Sequence, residues 1–412
     1  MSTAPCRFCG APLRVSFCDL GMSPLSNAFL KPEQLDRAEK FYPLHARVCE
    51  RCLLVQLEQF EPPERIFSDD YAYFSSYSDL WLKHASDYVD QMIERFGFGS
   101  RHLAVEIASN DGYLLQYFAK RGVPVLGIEP AANCARAAEE KGVPTLVKFF
   151  GAGTAGELAA KGRKADLLLG NNVLAHVPDL NDFVRGMQLL LAPGGVITVE
   201  FPHLLTLIEQ NQFDTIYHEH FSYFSFAVAE QLFARHGITL FDVEELSTHG
   251  GSLRIYGRHA ADASRPVGSR VAALKEKERR AGLDRIEAYR AFEEGVKRCK
   301  RHLLEFLVGA KEAGKQIVGY GAPAKGNTLL NYCGVRSDFI RFTVDRSPHK
   351  QGCFLPGTHI PVLHPDRIRE ARPDFLLILP WNLKEEIVEQ TAYIRDWGGK
   401  FVVPIPDVTV FA

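Results

Sequence analysis

The stretch HLAVEIASNDGYLLQYFAKRGVPVLGIEP, from His102 to Pro130, decides the fold. Two short apolar strands, HLAVEIAS and PVLGIE, enclose a helical segment that ends at a glycine. The same alternation continues through ADLLLGNNV and DFVRGMQLLLAPGGVITVEFP. Strands and helices that alternate at this interval predict an α/β fold with a doubly wound parallel sheet, whose ligands bind at the carboxyl ends of the strands.

The turn after the first strand predicts which cofactor binds there. A dinucleotide site would need GxGxxG, but Ala108 and Asn110 replace the first two glycines. Asp111 precedes the helix, which disfavours a diphosphate and suits a cofactor with a cationic centre. Glu129 ends the second strand, where a carboxylate accepts both ribose hydroxyls of an adenosine. An adenosine without phosphates, carrying a cationic centre, is S-adenosylmethionine.

The segment NNVLAHVPDL follows the fourth strand and extends this site. Asn171 and Asn172 lie where a backbone cradles the amino-acid end of such a cofactor. His176 lies beyond them, either facing a substrate or capping the next helix. The order of these features predicts a class I methyltransferase domain. The predicted cofactor-binding residues are Glu106, Ala108, Asn110, Gly112, Glu129 and Asn171.

Two cysteine pairs near the start of the chain predict a metal site. Cys6 and Cys9 form CRFC, and Cys49 and Cys52 form CERC. Each pair turns two thiolates inward on one knuckle, and together they give the sulfur tetrahedron that zinc favours, although redox-active or metal-free cysteines are the alternatives. Basic and acidic residues alternate between the pairs, so no nucleic-acid-binding stripe emerges. We expect a structural zinc that holds a small lobe together.

The composition excludes several classes of protein. The chain has 412 residues, 46% hydrophobic and 24% charged, as in an ordinary globular protein of two or three domains. The formal net charge of −2 gives no general attraction to nucleic acid or anionic membranes. Neither an export signal nor an apolar run of roughly 20 residues is present. We expect a cytoplasmic protein without nucleic-acid or membrane partners; a monomer is the default, and the oligomeric state stays open.

Two further segments complete the predicted organisation. Residues 262–312 are charged and helical, with an apolar stripe interrupted near Gly282. From Lys315 the alternation of strand and helix restarts as a second, smaller α/β unit. The predicted domains are a zinc lobe over 1–68, the methyltransferase domain with an N-terminal helical segment over 69–260, a helical connector over 261–312 and a C-terminal α/β domain over 313–412.

The stretch FDTIYHEHFSYFS, from Phe213 to Ser225, is too polar for a core strand and too aromatic for an ordinary loop. Its phenylalanines are expected to be core residues. Burying its tyrosine, histidines and glutamate together would be costly unless every polar atom were paired, so this polar set indicates a functional site.

Several separated motifs, in this order, carry a resemblance. They are the paired CxxC lobe, YAYFSSYS, VEIASNDG, GIEP, NNVLAHVPDL, EFPHLLTLIEQNQFDTIYHEHFSYFS, THGGSLRIY and GYGAPAKGNTLLNY. Together they resemble the S-adenosylmethionine-dependent nucleotide-sugar C-methyltransferases of deoxysugar biosynthesis. The resemblance implies methylation of carbon 3′ of a 4-keto-6-deoxy sugar on a nucleoside diphosphate, with the C-terminal domain helping to hold the nucleotide.

The resemblance also implies roles for individual residues. His220 would be the base, and a sugar pocket would be lined by Tyr217, Glu219, Asn172, His176 and a tyrosine of the loop before the first helix. We assign Tyr71 to that catalytic set and leave Tyr73 and Tyr77 open as alternatives. The predicted substrate-binding residues are Tyr73, Ser75, Tyr77, His249, Arg254, Lys325, Asn327 and Lys350.

Several of these residues also have ordinary structural interpretations. The loop of Ser75 and Tyr77 could be a turn with a helix cap. Arg254 follows two glycines and could reach an anion or be a surface arginine on a strand. Lys325 and Asn327 stand near a helix start that suits a diphosphate, and Lys350 could add charge.

Carbon methylation next to a ketone requires a base, donors for the enolate oxygen and an in-line methyl donor. Histidine acts near neutral pH, whereas an unperturbed carboxylate, with a pKa of roughly 4, is a weak base unless desolvated. His220 is therefore preferred to Glu219. On a helical turn Tyr217 and His220 share a face, whereas on a strand His218 and His220 would do so, and the sequence does not choose.

Two other functions remain as alternatives. One is O- or N-methylation of a different small molecule, which would need no proton removed from carbon. The other is a zinc-knuckle binding protein with a vestigial methyltransferase core, which would not bind S-adenosylmethionine. The sugar, the nucleobase and the stereochemistry of methylation stay open.

Overall fold

The computed structural model of the protein describes residues 4–62 and 74–412. The strands are β1 Val15–Ser23, β2 Tyr42–Val48, β3 Val55–Gln56, β4 Ala104–Ile107, β5 Val125–Ile128, β6 Thr145–Leu146, β7 Ala165–Asn171, β8 Leu191–Pro202, β9 Ser222–Tyr223, β10 Ile238–Leu246, β11 Ser252–His259, β12 Ile317–Tyr320, β13 Ile340–Val344, β14 Val362–Leu363, β15 Phe375–Ile378, β16 Lys400–Val403 and β17 Thr409–Phe411.

The α-helices are α1 Asp79–Phe96, α2 Leu115–Lys120, α3 Ala132–Glu140, α4 Ala152–Ala160, α5 Leu180–Leu190, α6 Leu204–Glu209, α7 Phe226–Arg235, α8 Ser269–Arg280, α9 Ile286–Glu312, α10 Ala324–Cys333, α11 Arg367–Ala371 and α12 Lys384–Gln390. Short 3₁₀ helices that bear on the site are Ser75–Tyr77, Leu174–His176, Phe213–Thr215, Thr248–Gly250 and Trp381–Leu383.

Among the described residues, seven strands form the central sheet in the order β10-β11-β8-β7-β4-β5-β6. The successive pairs from β8 through β7, β4 and β5 to β6 are all parallel, which confirms the predicted doubly wound methyltransferase sheet. The prediction of a parallel sheet is wrong at one place, because β11 pairs antiparallel with both β8 and β10. A tight connection from β10 makes this reversal possible, with Gly250 and Gly251 at φ of 92° and 118°.

The second α/β unit is also present. Its strands, as far as the chain is described, lie in the order β14-β13-β12-β15-β16-β17. All pair in parallel except β17, which runs antiparallel to β16 at the edge. The carboxyl ends of β12 and β15 lead into α10 and the turn at Trp381. These two connections bring the C-terminal unit to the candidate site.

The sheet of the N-terminal lobe includes one strand from the stretch FDTIYHEHFSYFS. The strands β1, β2 and β3 form an antiparallel sheet that β9 completes, with Val55 opposite Tyr223 and Gln56 opposite Ser222. The stretch FDTIYHEHFSYFS therefore belongs to the edge of the lobe sheet while it also follows the methyltransferase sheet along the chain. The sequence did not predict this pairing, because two-residue strands leave no periodic pattern.

The predicted helical connector is formed by α8 and α9, which are separated at Gly282, with φ of 82°. Helix α9 is long enough to pack against both β1 and the C-terminal unit. The ring of Phe292 stacks on Phe17 of β1 with centroids 4.6 Å apart. Further along, Leu303 and Leu307 are buried in the same core as the strands β12 and β15. One continuous apolar core thus joins the lobe to the C-terminal unit.

Within the described residues, every helix is too short or too polar to cross a membrane.

Candidate active site

The turn between β4 and α2 brings the backbone close to the predicted cofactor position. Ala108, Asn110 and Gly112 have φ of 55°, 48° and 72°, and such a left-handed backbone is unusual for a residue other than glycine. Glu129, at the end of β5, accepts hydrogen bonds from the backbone N–H groups of Asn110 at 2.9 Å and Ala131 at 2.8 Å. The glutamate therefore ties the ends of two neighbouring strands and retains lone pairs for ribose hydroxyls.

Buried polar atoms at the same edge fit S-adenosylmethionine. Both side-chain amide atoms of Asn171 are buried without a hydrogen-bond partner, as is Oδ1 of Asp111. Burial raises the pKa of Glu106 well above its usual range. A hydrogen bond from Tyr113 opposes this rise, and the charges of nearby carboxylates add to it. An unpaired amide and a cluster of carboxyl groups suit the amino-acid end of the cofactor, whose ammonium group needs acceptors.

The loop before α1 lies over this turn. The backbone N–H of Ser75 donates to Oδ1 of Asn110 at 2.9 Å, and Nζ of Lys141 donates to Oγ of Ser76 at 2.7 Å. Tyr77 is 58% exposed, and its hydroxyl lies 3.4 Å from Nε2 of His349. The structure thus places Ser75 beside the predicted cofactor turn and Tyr77 near the C-terminal unit. The predicted Tyr71 and Tyr73 lie outside the described residues.

The aromatic stretch forms a turn that joins Tyr217 to His220. The backbone N–H of His220 donates to the carbonyl of Tyr217 at 2.9 Å, so the two side chains share a face. Nδ1 of His220 donates to the carbonyl of Thr215 at 2.9 Å, and the Tyr217 hydroxyl donates to Nε2 at 2.7 Å. Because a carbonyl only accepts, the proton of a neutral His220 is on Nδ1 and the lone pair is on Nε2.

His176 packs against this pair. The rings of His176 and His220 lie 4.7 Å apart between centroids, in an edge-to-face arrangement. Burial lowers the pKa of His220 well below its usual value, and the neighbouring His176 lowers it further. Burial also lowers the pKa of His176 to about 4. Both imidazoles are therefore neutral at physiological pH, and His220 can accept a proton.

Glu219 lies in the same turn and contacts a residue that the sequence analysis missed. The side-chain amide of Asn27 donates to its Oε1 at 2.6 Å. Burial raises the pKa of Glu219 to about 7, although the hydrogen bond from Asn27 opposes the shift. The sequence analysis described a carboxylate as a weak base unless desolvated, and here burial does desolvate Glu219. No spacing pattern links Asn27 to Glu219, and only the fold brings them together.

His218 faces away from this cluster. Its Nε2 donates to the carbonyl of Pro43 at 3.2 Å, and its ring packs edge-on against Tyr42 and Phe60. The four phenylalanines of the stretch and its continuation, Phe213, Phe221, Phe224 and Phe226, are all buried, as predicted. The turn therefore puts Tyr217, and not His218, on the same face as His220, which the sequence had left open.

Asn172 and His249 meet at the end of β7. The amide Nδ2 of Asn172 donates to Nε2 of His249 at 2.9 Å, and both residues have a φ of 54°. Burial lowers the pKa of His249 to about 4, in agreement with an accepting, unprotonated nitrogen. Trp81 of α1 packs edge-on against His249 with centroids 4.9 Å apart. The sequence analysis did not name Trp81 among the candidate site residues.

Arg254 does not reach a ligand. Its side chain is 3% exposed and donates to Glu200 at 2.7 Å, to Gln91 at 2.8 Å and to Glu244 at 3.2 Å. The prediction that Arg254 binds the substrate is therefore wrong, because carboxylates of β8 and β10 and an amide of α1 occupy its donors. The fold puts Arg254 on β11, which lies between β10 and β8 in the sheet.

The start of α10 is also arranged differently from the prediction. Asn327 is buried and donates to the carbonyl of Ser26 at 2.5 Å, so it ties the C-terminal unit to the lobe instead of facing a diphosphate. Nζ of Lys325 donates to Oδ1 of Asn382 at 2.8 Å and lies 4.5 Å from the centroid of the Trp381 ring. Burial lowers the pKa of Lys325, and its charge lowers that of His220.

Two more groups complete this side of the cluster. Oδ2 of Asp214 accepts a 2.7 Å hydrogen bond from Nε1 of Trp381, and burial raises the pKa of Asp214 to about 6. Nζ of Lys350 donates to the carbonyl of Ala322 at 3.0 Å and lies 3.8 Å from Asp345. Lys325 thus lies within electrostatic range of the histidines, and Lys350 lies at the loop before α10.

The four predicted metal ligands lie together. The sulfur atoms of Cys6, Cys9, Cys49 and Cys52 are all within 4.8 Å of one another, and two pairs are 3.5 Å apart. Zinc with four thiolates at about 2.3 Å needs sulfur atoms about 3.8 Å apart, which this arrangement meets with small adjustments. With four protein ligands no coordination position is open, so the site is structural.

Three family models match successive parts of the chain. The model described as "Putative zinc binding domain" matches residues 6–67, and "Methyltransferase domain" matches residues 81–243. The model "C-methyltransferase C-terminal domain" matches residues 247–406. The cysteine tetrad, the central sheet and the C-terminal unit thus each fall within a matched segment.

Individual proteins are similar to the chain over different lengths. C-methyltransferase NovU of Streptomyces niveus is 37% identical over 407 residues, covering 99% of this chain and 96% of the relative. A ubiquinone biosynthesis O-methyltransferase of Methylobacterium sp. (strain 4-46) is 33% identical over 96 residues, covering 22% of this chain and 37% of the relative. The solved structure of PH0226 protein from Pyrococcus horikoshii OT3 has a TM-score of 0.38 at 15% identity, covering 48% of this chain and 99% of that chain.

Proposed function

The chain belongs to the C-methyltransferase family and is an S-adenosylmethionine-dependent enzyme with a structural zinc site. From this premise we propose that it methylates carbon 3′ of a 4-keto-6-deoxy sugar that is linked to a nucleoside diphosphate. NovU, which matches along nearly the full length, is a C-methyltransferase, whereas the O-methyltransferase of Methylobacterium matches only a fraction of the chain. Carbon methylation requires a nucleophilic carbon, and a ketone beside that carbon provides one through its enolate.

The cofactor would supply an electrophilic methyl group on a sulfonium. Glu129 would accept the ribose hydroxyls, and the unpaired amide of Asn171 would meet the amino-acid end. The left-handed turn at Ala108 and Asn110 would let the backbone approach closely. These residues bind and orient the methyl donor, and they leave the proton transfer to the cluster around His220.

The single observation that carries the proposal is the partly buried, hydrogen-bonded pair of Tyr217 and His220. Its neutral imidazole has the proton fixed on Nδ1 by the carbonyl of Thr215, so Nε2 is the basic atom. In the proposed reaction the Tyr217 hydroxyl turns from Nε2 to the 4-keto oxygen, and Nε2 takes the proton from carbon 3′. Asn172 has a second amide hydrogen for the same oxygen.

The electron pair of the broken C–H bond becomes the enolate. That enolate would take the methyl group of bound S-adenosylmethionine, with the carbon–carbon bond forming as the carbon–sulfur bond breaks, and His220 would release its proton to solvent. Glu219, with a pKa of about 7, would hold the sugar or adjust the charge of the pocket. Lys325 adds positive charge close to the developing oxyanion.

Solvent exchange tests this proposal without depending on a particular sugar. The dTDP-, GDP-, UDP- and CDP-linked 4-keto-6-deoxy sugars would be incubated with the enzyme in deuterated water without the methyl donor. The proposal expects deuterium to enter carbon 3′ of one of them in wild type and not in His220→Ala. Transfer to oxygen or nitrogen needs no such proton, so methylation of a substrate that never exchanges would contradict it.

A further inference from the structure

Arg7 contacts three segments of the chain at once. It lies between Cys6 and Cys9 in the first zinc knuckle, and its guanidinium donates to the carbonyl of Pro178 at 3.0 Å and to that of Leu57 at 2.8 Å. The same group lies over the ring of Phe221, 4.9 Å from its centroid. We call Arg7 with Leu57, Pro178 and Phe221 the Arg7 clasp.

Two partners of Arg7 in the clasp, Pro178 and Phe221, are close in sequence to the candidate catalytic residues. Pro178 is two residues after His176, and Phe221 directly follows His220. The backbone N–H of Phe221 donates to the carbonyl of Ala175 at 2.7 Å, and that of Leu57 donates to the carbonyl of Phe221 at 3.0 Å. The clasp therefore closes a ring of contacts around the point where the two histidine segments meet.

We propose that Arg7 is a positioning residue that fixes the separation of His176 and His220. Its hydrogen-bond acceptors are neutral backbone carbonyls and not carboxylates. The role of Arg7 is therefore to hold these segments in place and not to neutralise a negative charge. A planar guanidinium that forms two hydrogen bonds and stacks on an aromatic ring is well suited to this, because little of its freedom remains to be lost. A lysine ammonium has neither the paired N–H donors of a guanidinium nor a planar group that can stack on the ring. Through Arg7, the zinc knuckle becomes a rigid support for the histidine cluster.

Gln56 strengthens the connection between metal site and cluster. Its Oε1 accepts the backbone N–H of Arg7 at 2.8 Å, and its Nε2 donates to Sγ of Cys6 at 3.2 Å. Gln56 also lies opposite Ser222 in the pairing of β3 with β9. Gln56 thus joins a zinc ligand and the clasp through its side chain, and the strand that follows His220 through its backbone pairing.

The consequence is that Arg7 affects the methyl-transfer step without affecting cofactor binding or zinc retention. Arg7→Ala is expected to lower kcat by about tenfold or more, since small displacements of catalytic groups are costly. Zinc content per chain and the dissociation constant for S-adenosylmethionine should match wild type. Amide hydrogen exchange should speed up in peptides covering 174–181 and 217–224, and not in those of β4 and β5.

The matched control is Arg51→Ala, which removes an exposed arginine from the second zinc knuckle. It should change neither kcat nor exchange. Arg7→Lys keeps the charge and most of the stem, so it decides the question if Arg7→Ala loses zinc. The lysine variant should retain zinc and still show lowered kcat and faster exchange in both segments.

Wild-type exchange in 174–181 and 217–224 for Arg7→Lys would overturn the inference, as would equal losses in Arg51→Ala. The kcat measurement rests on the proposed function and uses the sugar nucleotide that wild type accepts. The exchange measurement needs no substrate. If wild type accepts none of the 4-keto sugars, the proposed function fails while the exchange result still decides the role of Arg7.

Discussion

The side-chain amide of Asn27 lies 2.6 Å from Oε1 of Glu219, and this contact joins the N-terminal lobe to the candidate active site. The two residues are far apart in sequence, and Glu219 is buried. A donor to the ionised form of a carboxyl group lowers its pKa. Asn27 therefore partly offsets the rise that burial imposes on Glu219.

Removing that donor should shift the pH profile. In Asn27→Ala the pKa of Glu219 should rise above its value of about 7, because the ionised carboxylate loses a hydrogen bond while burial remains. If ionised Glu219 is needed, the acidic limb of kcat/KM moves to higher pH. Ser26→Ala is the control, since its hydroxyl pairs with Thr328 instead. An unshifted limb in Asn27→Ala would show that this contact does not set the ionisation.

Glu219 should also make stability depend on pH. Burial raises its pKa from 4.5 to about 7 in the folded protein. Between these two pH values the folded state therefore holds the proton of Glu219 more tightly than the unfolded state does. The associated stability is fully present below about pH 4.5 and is lost as pH rises through about 7. As the pH rises from about 5 to about 8, wild type should therefore lose up to about 3 kcal/mol more unfolding free energy than Glu219→Gln does.

Urea unfolding of both proteins at the two pH values measures this difference. The exposed Glu209→Gln provides the control, because its carboxyl group at the end of α6 has no burial to relieve. Parallel pH dependence of wild type and Glu219→Gln would mean that Glu219 ionises normally in the folded protein.

His220 and His218 provide a matched pair in one turn. His220→Ala should lower kcat by about 10²- to 10⁴-fold, the usual contribution of a general base, because the basic Nε2 is lost. His218→Ala should leave kcat within about threefold of wild type, since its ring packs outside the cluster. Single-turnover rates of methyl transfer measure both. Near-wild-type turnover in His220→Ala would transfer the role of base to Glu219.

Arg254 should affect stability and not substrate binding. Burial opposes ionisation of Glu200, but His84 and Arg254 hold its pKa below the usual value. Arg254→Met leaves that buried carboxylate without its guanidinium partner, which should cost about 3–5 kcal/mol of unfolding free energy. Arg270→Met should cost much less, because Arg270 is half exposed and its partner Asp242 keeps a second ion pair with Arg95. A rise in KM for the nucleotide sugar, with stability unchanged, would restore the anion-binding role.

The sequence predicted the parts of this protein that depend on local patterns. Strand and helix alternation gave the central sheet, and two CxxC spacings were enough for the cysteine tetrad. It failed where partners come from distant segments. Arg254 looked available because the burial of β11 between β8 and β10 is a property of the sheet, and the orientation of His218 depended on a single turn.

Asn171 should show opposite effects with and without the cofactor. Both of its amide atoms are buried and unpaired in the protein alone, which costs about 1–3 kcal/mol. Asn171→Ala should therefore raise the melting temperature of the free protein while weakening S-adenosylmethionine binding by about tenfold or more. Thermal shift with increasing cofactor and calorimetric titration measure the two effects, with Asn181→Ala, an amide that pairs with the first zinc knuckle, as control. Wild-type affinity in Asn171→Ala would place the amino-acid end of the cofactor elsewhere, because a paired amide could not be lost without a penalty.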